Sequence, residues 1–216
     1  QAEASQEERV MKIALFGATG GTGRHVVQQA LAAGHQVVAL VRDPARLAVA
    51  DEHLTLVQGD VLDDARVAET IAGTDAVVVT LGNTPNNPDM VVSQGTQRIV
   101  TAMNNLERPR RLVVVTSLGT GDSQDQVPLA FKMLMRTALR KPMQDKEQQE
   151  AIVRASGLDW TIVRPGGLTD GPATGQYHSG LDPKIVAGQV SRADVAGFVL
   201  AQLADGSYLH KTPAIT

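Results

Sequence analysis

The chain has 216 residues, a length that suits one α/β domain or two small ones, and its composition excludes several classes of protein. Hydrophobic residues make up 43% and charged residues 20%, so an intrinsically disordered chain is excluded. Its 20 Lys+Arg against 23 Asp+Glu leave a net charge of −3, without the basic excess of a broad nucleic-acid or anionic-membrane surface. We therefore expect neither nucleic acid nor a membrane as a partner.

The chain contains no cysteine, and its first residues are polar. Disulfides, thiol nucleophiles and zinc–thiolate sites are therefore excluded, which fits a reducing compartment and leads us to expect a cytoplasmic location. Residues 1–10 lack the apolar core of a signal peptide, and no apolar run approaches the roughly 20 residues of a membrane span. We predict a tag or disordered extension over 1–10 and one domain over 11–216.

Hydrophobic periodicity predicts strands that alternate with helices along the chain. The strands are predicted over residues 12–16, 36–41, 54–58, 75–80, 111–116 and 160–164. The helices are predicted over residues 22–33, 63–72, about 88–105, 127–140, 143–156 and 191–204, with Pro142 separating the fourth helix from the fifth. Because most of the strands are apolar on both faces, the pattern predicts an α/β fold with a doubly wound parallel sheet and helices on both sides.

Three irregular segments follow the carboxyl ends of predicted strands, at about residues 82–92, 118–130 and 166–190. In an open parallel sheet, ligands bind at that edge. We therefore expect these three segments to be substrate loops.

A glycine-rich segment follows the first strand and opens the first helix. Gly17, Gly20 and Gly23 have the spacing G-x-x-G-x-x-G. In this setting, Gly17 allows a tight turn, Gly20 lets a pyrophosphate approach the backbone, and Gly23 permits close packing of helix on sheet. The segment predicts dinucleotide binding in a Rossmann-type fold; the alternative is an ordinary glycine-rich turn.

The end of the second strand indicates which dinucleotide is preferred. A site for NAD carries Asp or Glu at this position, whereas this chain has Arg42, followed by Arg46. A guanidinium pairs with a 2′-phosphate in bidentate fashion, so we predict NADP(H). The alternative is that both arginines are simply solvated. Asp43 and Pro44 are better interpreted as the cap and first residue of a helical turn.

Two weaker signals follow the third and fourth strands. Asp60 and Val61 suit a contact with the adenine edge, although capping of the next turn by Asp60 is an equal alternative. Leu81 and Gly82 let the chain pass close to the middle of the cofactor.

The chain resembles the atypical short-chain dehydrogenase/reductase family, especially its flavin and biliverdin-IXβ reductase branch, in an ordered set of segments: GATGGTG, VRDPARL, QGDVLD, DAVVVTLG, VVVTS and SGLDWTIVRPGGLTD. The resemblance runs from about residue 11 to residue 204. It implies the strand order 3-2-1-4-5-6, NADP(H) as cofactor and hydride transfer to a planar acceptor.

The resemblance also assigns roles to individual residues. The phosphates are expected to contact Gly17, Thr19, Gly20, Gly21, Thr22 and Gly23, and the 2′-phosphate Arg42 and Arg46. The adenosine is expected to contact Asp60, Val61, Leu81 and Gly82. Thr116 and Pro165 also line the cofactor in this assignment, and Ser117, beside the nicotinamide, is the expected catalytic residue. For Ser117 the alternative is a strand-end serine bonded to the backbone.

The chain departs from the better-known members of the superfamily, which transfer a proton through a Tyr-x-x-x-Lys pair. Tyr177 is followed four residues later by Leu181, and Tyr208 by Thr212. Lys146 stands where the family lysine falls, but Pro142 occupies the tyrosine position. The histidine that the flavin-reductase branch carries after its sixth strand is also missing, because Gly167 or a neighbour replaces it.

Reduction of a flavin needs aligned rings more than a proton-transfer side chain. We therefore predict an NADPH-dependent reductase whose acceptor is FMN, FAD, riboflavin, a bilin or a quinone, acting as a monomer or weak dimer. The alternative function is a catalytically silent NADP(H)-binding sensor or scaffold.

Residues 131–141 supply a second group of candidates. Phe131 and the segment 133–135 suit an apolar wall over a planar substrate, although core positions are the more frequent use of such residues. Lys132, Arg136, Arg140 and Lys141 could attract a flavin phosphate or a propionate, with a solvated helix face as the alternative. The five histidines show no metal-ligand spacing, so no metal site is predicted; His178, in the third loop, is the one histidine worth testing.

Overall fold

The computed structural model describes residues 9–84, 87 and 89–216, and this part of the chain contains ten strands. They are β1 Lys12–Phe16, β2 Gln36–Val41, β3 Leu54–Gln58, β4 Ala76–Val79, β5 Arg111–Val115, β6 Asp159–Pro165, β7 Gly167–Thr169, β8 Ser179–Gly180, β9 Gln189–Ser191 and β10 Ala214–Ile215. The first six pair in parallel in the order 3-2-1-4-5-6, as predicted.

The sheet continues past β6 by two strands that were not predicted. β10 lies parallel to β6, with Ile215 opposite Pro165, and β8 runs antiparallel to β10. β7 and β9 form a separate two-stranded sheet within the third loop. Each of these strands has only two or three residues, which is too short to show a periodic pattern.

The described part of the chain also contains six α-helices, and five of them pack on the two faces of the sheet. The six helices are α1 Gly21–Ala32, α2 Asp64–Ile71, α3 Val91–Asn104, α4 Leu129–Arg136, α5 Arg140–Arg154 and α6 Arg192–Ala204. One apolar cluster joins α1 and α6 to the sheet, and a second joins α2, α3 and α5 to its other face. A third, smaller cluster around Leu118, Met135 and Met143 lies beyond the end of β5.

The predicted break at Pro142 is wrong. α4 ends at Arg136, and α5 begins at Arg140, so the break covers residues 137–139. Pro142 is the third residue of α5, inside the first turn. A backbone N–H at that position has no partner within its own helix, so a proline there removes no hydrogen bond.

Most other boundaries agree with the predictions within a few residues. Asp63 caps α2, Ser191 caps α6, and Asp43 caps a 3-10 turn over Pro44–Arg46, each through its side chain. α3 begins at Val91 rather than near residue 88, which lies outside the described residues, as do 85, 86 and 1–8. The division into a terminal extension and one domain stays a prediction. Within the described ranges, no helix has the length and apolar character needed to cross a membrane.

Candidate active site

The glycine-rich segment turns sharply between β1 and α1. Gly17 has a φ of +95°, a conformation that favours glycine. A Cβ added there would lie 2.7 Å from the backbone carbon and oxygen of Thr80, which follows β4. The absence of a side chain at Gly17 therefore lets two strand ends meet directly.

Gly23 allows α1 to pack tightly against this turn. A Cβ added at Gly23 would overlap the carbonyl group of Gly17. Gly20 is the N-cap of α1, and its N–H donates to the carbonyl of Gly17 at 3.0 Å. The turn expected at Gly17 and the close packing expected at Gly23 are thus present.

The N-terminus of α1 has the features of an anion-binding site. Gly20 supplies no side-chain cap, and the first turn contains no acidic residue. Both α2 and α6, by contrast, have a side-chain cap and an aspartate in the first turn. The partial positive charge and free N–H groups of α1 face the edge where the strands end, as a pyrophosphate site requires.

Three arginines gather at the end of β2, one more than the sequence predicted. Arg42 and Arg46 are exposed there. Arg24, in α1, donates from Nε to the carbonyl of Thr19 at 3.1 Å and from a terminal nitrogen to the carbonyl of Arg46 at 2.9 Å. Arg24 thus ties the glycine turn to the arginine pair. The position of Arg24, directly after the last glycine of the motif, is the one sequence feature that could have identified it as a site residue.

The neighbouring Asp43 uses one carboxylate oxygen to cap the turn that follows β2. Its Oδ1 accepts the N–H of Ala45 at 3.1 Å, as expected for a capping residue. The charged side chains directly after β2 are therefore two arginines and one capping aspartate, and a 2′-phosphate suits the arginines.

The residues proposed for the adenosine differ in burial and in the contacts that they already make. Asp60 Oδ1 accepts the N–H of Leu62 at 2.9 Å, which is the capping alternative, while Val61 is buried against Gly95. Leu81 is half-buried against the same glycine. Gly82 is exposed, and a Cβ added there would meet nothing within 4 Å.

The segment after β4 is anchored by a buried carboxylate that sequence reasoning missed. Asp145 in α5 accepts the N–H groups of Val92 and Ser93 at 3.1 and 2.7 Å and so caps α3 from a neighbouring helix. It also accepts from the side-chain amide of Asn83 at 2.9 Å. Asn83 and the start of α3 are therefore held by one side chain.

Ser117, Thr116 and Lys146 meet at the end of β5. The Lys146 ammonium donates to the carbonyl of Thr116 at 3.1 Å, and the Thr116 hydroxyl donates to Glu150 at 2.8 Å. The Ser117 hydroxyl donates to the carbonyl of Leu118 at 3.0 Å, the backbone bond named as its alternative. Ser117 is part-buried, between the buried Thr116 and Leu118.

Burial controls the charge of Lys146. Loss of hydration lowers the pKa of Lys146 from its ordinary 10.5 to about 8, and the nearby carboxylates of Glu150 and Asp145 only partly oppose this shift. The ammonium form therefore predominates at neutral pH and is lost just above it.

A buried ion pair holds α5 against the sheet. Arg164 in β6 donates to both carboxylate oxygens of Glu150, at 3.0 and 2.6 Å, and also contacts Asp122. Burial lowers the pKa of Arg164, but the bonds and charges of Glu150 and Asp122 outweigh that effect and raise it. Pro165, the next residue, is buried, and its carbonyl accepts the N–H of Leu118, so β5 and β6 end together.

The described tyrosines lie away from Lys146. Tyr177 packs edge-on against Phe198 of α6, within the apolar cluster of the α1 side. Tyr208 packs against the same phenylalanine. Lys146 belongs to α5, which packs on the opposite face of the sheet. The missing Tyr-x-x-x-Lys pair is therefore not replaced by a tyrosine from elsewhere.

A cavity of about 280 Å³ lies between α4, α5 and the 3-10 segment Gly121–Gln126. Gly119, two residues after Ser117, is part of its lining. The lining also includes two methionines, three basic residues and two carboxylates: Met135, Met143, Lys132, Arg136, Arg140, Asp125 and Glu147. Lys132 is paired with Asp125 at 2.7 Å. Phe131 and Met135 pack into the small cluster, whereas Met133 and Leu134 are exposed, so residues 131–135 divide between core and surface.

His178 is exposed, and its backbone pairs with that of Thr216 beside β10. Across residues 9–84, 87 and 89–216, no three His, Asp or Glu side chains are grouped as metal ligands.

The parallel sheet, the glycine turn and the uncapped α1 define a dinucleotide-binding protein of the Rossmann type. The comparison with protein families agrees, since the model of the NAD(P)H-binding family matches residues 17–206. The chain belongs to this family.

Similar proteins include oxidoreductases. An uncharacterised chloroplast protein of Arabidopsis thaliana is 30% identical over 203 residues, covering 90% of this chain and 72% of that protein. Oxidoreductase stcQ of Emericella nidulans is 31% identical over 186 residues, covering 75% and 67%. The structure of ChuY, an anaerobilin reductase of Escherichia coli O157:H7, superposes with a TM-score of 0.79 at 28% identity, covering 94% and 96%.

Proposed function

We propose that this protein is an NADPH-dependent reductase of a planar, anionic acceptor. The observation that carries the proposal is the uncapped N-terminus of α1, with Arg24, Arg42 and Arg46 beside it. This arrangement provides a site for a pyrophosphate next to a site for a third phosphate. Among the dinucleotide cofactors, NADP(H) carries that third phosphate.

The chain's own residues would bind and orient the reactants. When bound, NADPH supplies a hydride. Ser117, at the end of β5, would exchange its bond with the Leu118 carbonyl for one with the carboxamide or the acceptor. Lys146 would keep a positive charge behind Thr116. With both described tyrosines on the other face of the sheet, water would deliver the proton, and catalysis would rest on alignment.

Arg136 and Arg140 in the lining of the cavity support an acceptor that carries an anionic group, since the two carboxylates of the lining, Asp125 and Glu147, are bonded to Lys132 and Gln124. The cavity's volume of about 280 Å³ lies just below the roughly 300–1,000 Å³ of cofactor pockets, so it suits one end of an acceptor. Arg136 and Arg140 would attract a phosphate or carboxylate, while Met135 and Met143 supply an adaptable apolar wall. FMN and the propionate-bearing bilins have this character, and the similar anaerobilin reductase makes a tetrapyrrole a natural candidate.

The first test is the cofactor preference. Arg42→Ala should weaken NADPH binding about 10- to 100-fold, because it removes a charge-assisted bond, and leave NADH binding unchanged. Equal losses for both nucleotides, or none for either, would show that Arg42 does not contact the 2′-phosphate.

The second test separates the acceptor's ring from its phosphate. NADPH oxidation should be stimulated by both FMN and riboflavin, which share one ring system, but only FMN carries a phosphate. The double variant Arg136→Ala/Arg140→Ala should raise the KM for FMN about tenfold or more and leave that for riboflavin unaltered. A parallel rise for both acceptors would argue against the cavity as the phosphate subsite.

The bond between Ser117 and its neighbouring carbonyl favours one other function, a non-catalytic NADP(H) sensor. Tight NADPH binding without oxidation in the presence of any flavin, bilin or quinone would support the sensor and contradict the reductase.

A further inference from the structure

Arg192 reaches the glycine turn from the far end of the chain. It is the first residue of α6, and its side chain lies over Gly21, the first residue of α1. A Cβ added at Gly21 would lie 2.6 Å from Cδ and 2.7 Å from Nε of Arg192. Only 26% of the Arg192 side chain is exposed. The absence of a side chain at Gly21 thus makes room for this arginine.

Helix N-termini carry partial positive charge, and Arg192 stands at two of them, those of α1 and α6. Asp194 and Ser191 compensate the N-terminus of α6, whereas α1 has neither a side-chain cap nor an acid in its first turn. A guanidinium placed beside an uncapped helix end therefore needs an anion.

In the free protein that anion is Asp170. Its carboxylate contacts a terminal nitrogen of Arg192 at 2.6 Å, but the Asp170 side chain is 88% exposed. An exposed ion pair contributes only about 0–1 kcal/mol, so a multiply charged ligand can displace it readily.

The loop that carries Asp170 is itself fixed to α6. Asp194 accepts the backbone N–H groups of Thr174 and Gly175, each at 2.9 Å, in addition to its bonds with Ser191. Burial tends to raise the pKa of Asp194, but these hydrogen bonds lower it overall, so it stays charged. Arg192 therefore projects from a rigid base, which suits a binding residue.

We propose that Arg192 is a ligand of the cofactor's pyrophosphate, which it would bind together with the N–H groups of α1. The inference rests on the proposed NADP(H)-dependent function and adds to it a contact from the last helix. On binding, the guanidinium exchanges Asp170 for the pyrophosphate oxygens, so cofactor binding releases the third substrate loop from this ion pair.

The test compares two ligands by calorimetric titration. NADP⁺ contains the pyrophosphate, whereas adenosine 2′-phosphate carries only the adenosine and the 2′-phosphate. Arg192→Ala should weaken NADP⁺ binding about 10- to 100-fold and leave the affinity for adenosine 2′-phosphate unaltered. Arg42→Ala, the matched control, should weaken both ligands. Unchanged adenosine 2′-phosphate binding also verifies that the Arg192→Ala variant is folded.

A second variant separates binding from scaffolding. Asp170→Asn removes the competing anion and should tighten NADP⁺ binding by up to about fivefold, the equivalent of an exposed ion pair. If Asp170→Asn weakens NADP⁺ binding as much as Arg192→Ala does, Arg192 acts through the loop and the inference is wrong. If the wild type and Arg192→Ala bind NADP⁺ with equal affinity, the inference about Arg192 is wrong, but the proposed function is unaffected. A wild-type protein that binds neither ligand overturns the proposed function as well.

Discussion

At the scale of single residues, the site depends on side chains that are absent as much as on those present. Gly17, Gly21 and Gly23 each lie where a Cβ would overlap another group: the Thr80 backbone, the Arg192 side chain and the Gly17 carbonyl. The spacing of the motif identified Gly17 and Gly23. What fills the space beside Gly21 was invisible in the sequence, because Arg192 is 171 positions away.

Gly23→Ala should destabilise the fold by about 2–4 kcal/mol, since the new methyl group meets a backbone carbonyl that cannot move without shifting β1 or α1. Urea unfolding monitored by circular dichroism measures the effect. The matched control is Gly206→Ala, where a Cβ meets nothing within 4 Å, and its expected effect is within about 0.5 kcal/mol. Similar losses for the two variants would contradict the packing argument.

Lys146 gives the stability a distinct pH dependence. Its pKa falls from 10.5 in the unfolded chain to about 8 in the fold, so between these values the unfolded state holds more protons. The wild type should therefore gain stability relative to Lys146→Met as the pH rises from 8 towards 10.5. Urea unfolding of both proteins at pH 7 and pH 10 tests this; a difference independent of pH would mean that Lys146 is not desolvated.

At the scale of elements, α5 is the helix that organises the reactive end of the site. It carries Asp145, which caps α3, Lys146, which contacts Thr116, and Glu150, which binds Arg164. Periodicity predicts a helix here but not its start, because a proline such as Pro142 is the expected break. Proline is compatible with a first helical turn, and the partners that hold this turn lie on other elements.

Glu150→Gln should cost about 3 kcal/mol, because it leaves the buried Arg164 guanidinium with only the exposed Asp122 carboxylate as a charged partner. The control is Glu69→Gln, which breaks the pair of Glu69 with Arg66. The two pairs have similar N–O distances, 2.7 Å here and 2.6 Å for Arg164–Glu150, but the side chains of Glu69 and Arg66 are about half exposed, so this change should cost about 0–1 kcal/mol. Denaturant midpoints distinguish the two. Equal costs would show that the buried pair is no more than a surface contact.

At the scale of the whole molecule, the carboxyl ends of β1, β2, β4, β5 and β6 meet at one edge of the sheet, where the glycine turn, the arginines and Lys146 are found together. A ligand bound along this edge contacts segments from both halves of the chain. Its binding should therefore stabilise the fold as a unit.

NADPH at 100 times its Kd should stabilise the protein by about 2.7 kcal/mol, which for a chain of this size raises the Tm by about 5–11 °C. The same concentration of NADH should raise it less, and Arg42→Ala should abolish the difference. A thermal scan with each nucleotide measures this. Identical shifts with NADPH and NADH would contradict the assigned role of the arginines.

The sequence by itself determined the six principal strands, the glycine turn and the arginines after β2, because these depend on local periodicity and on residues close together in the chain. The strand order was an expectation from the resemblance to a known family, and the pairing of the strands confirms it. Tertiary structure alone decided the rest. Arg24 bound to Arg46, Asp145 capping α3, Arg192 over Gly21 and the β8–β10 extension all pair groups far apart in sequence. Such pairs arise only when packing brings distant segments into contact, and no local pattern records them.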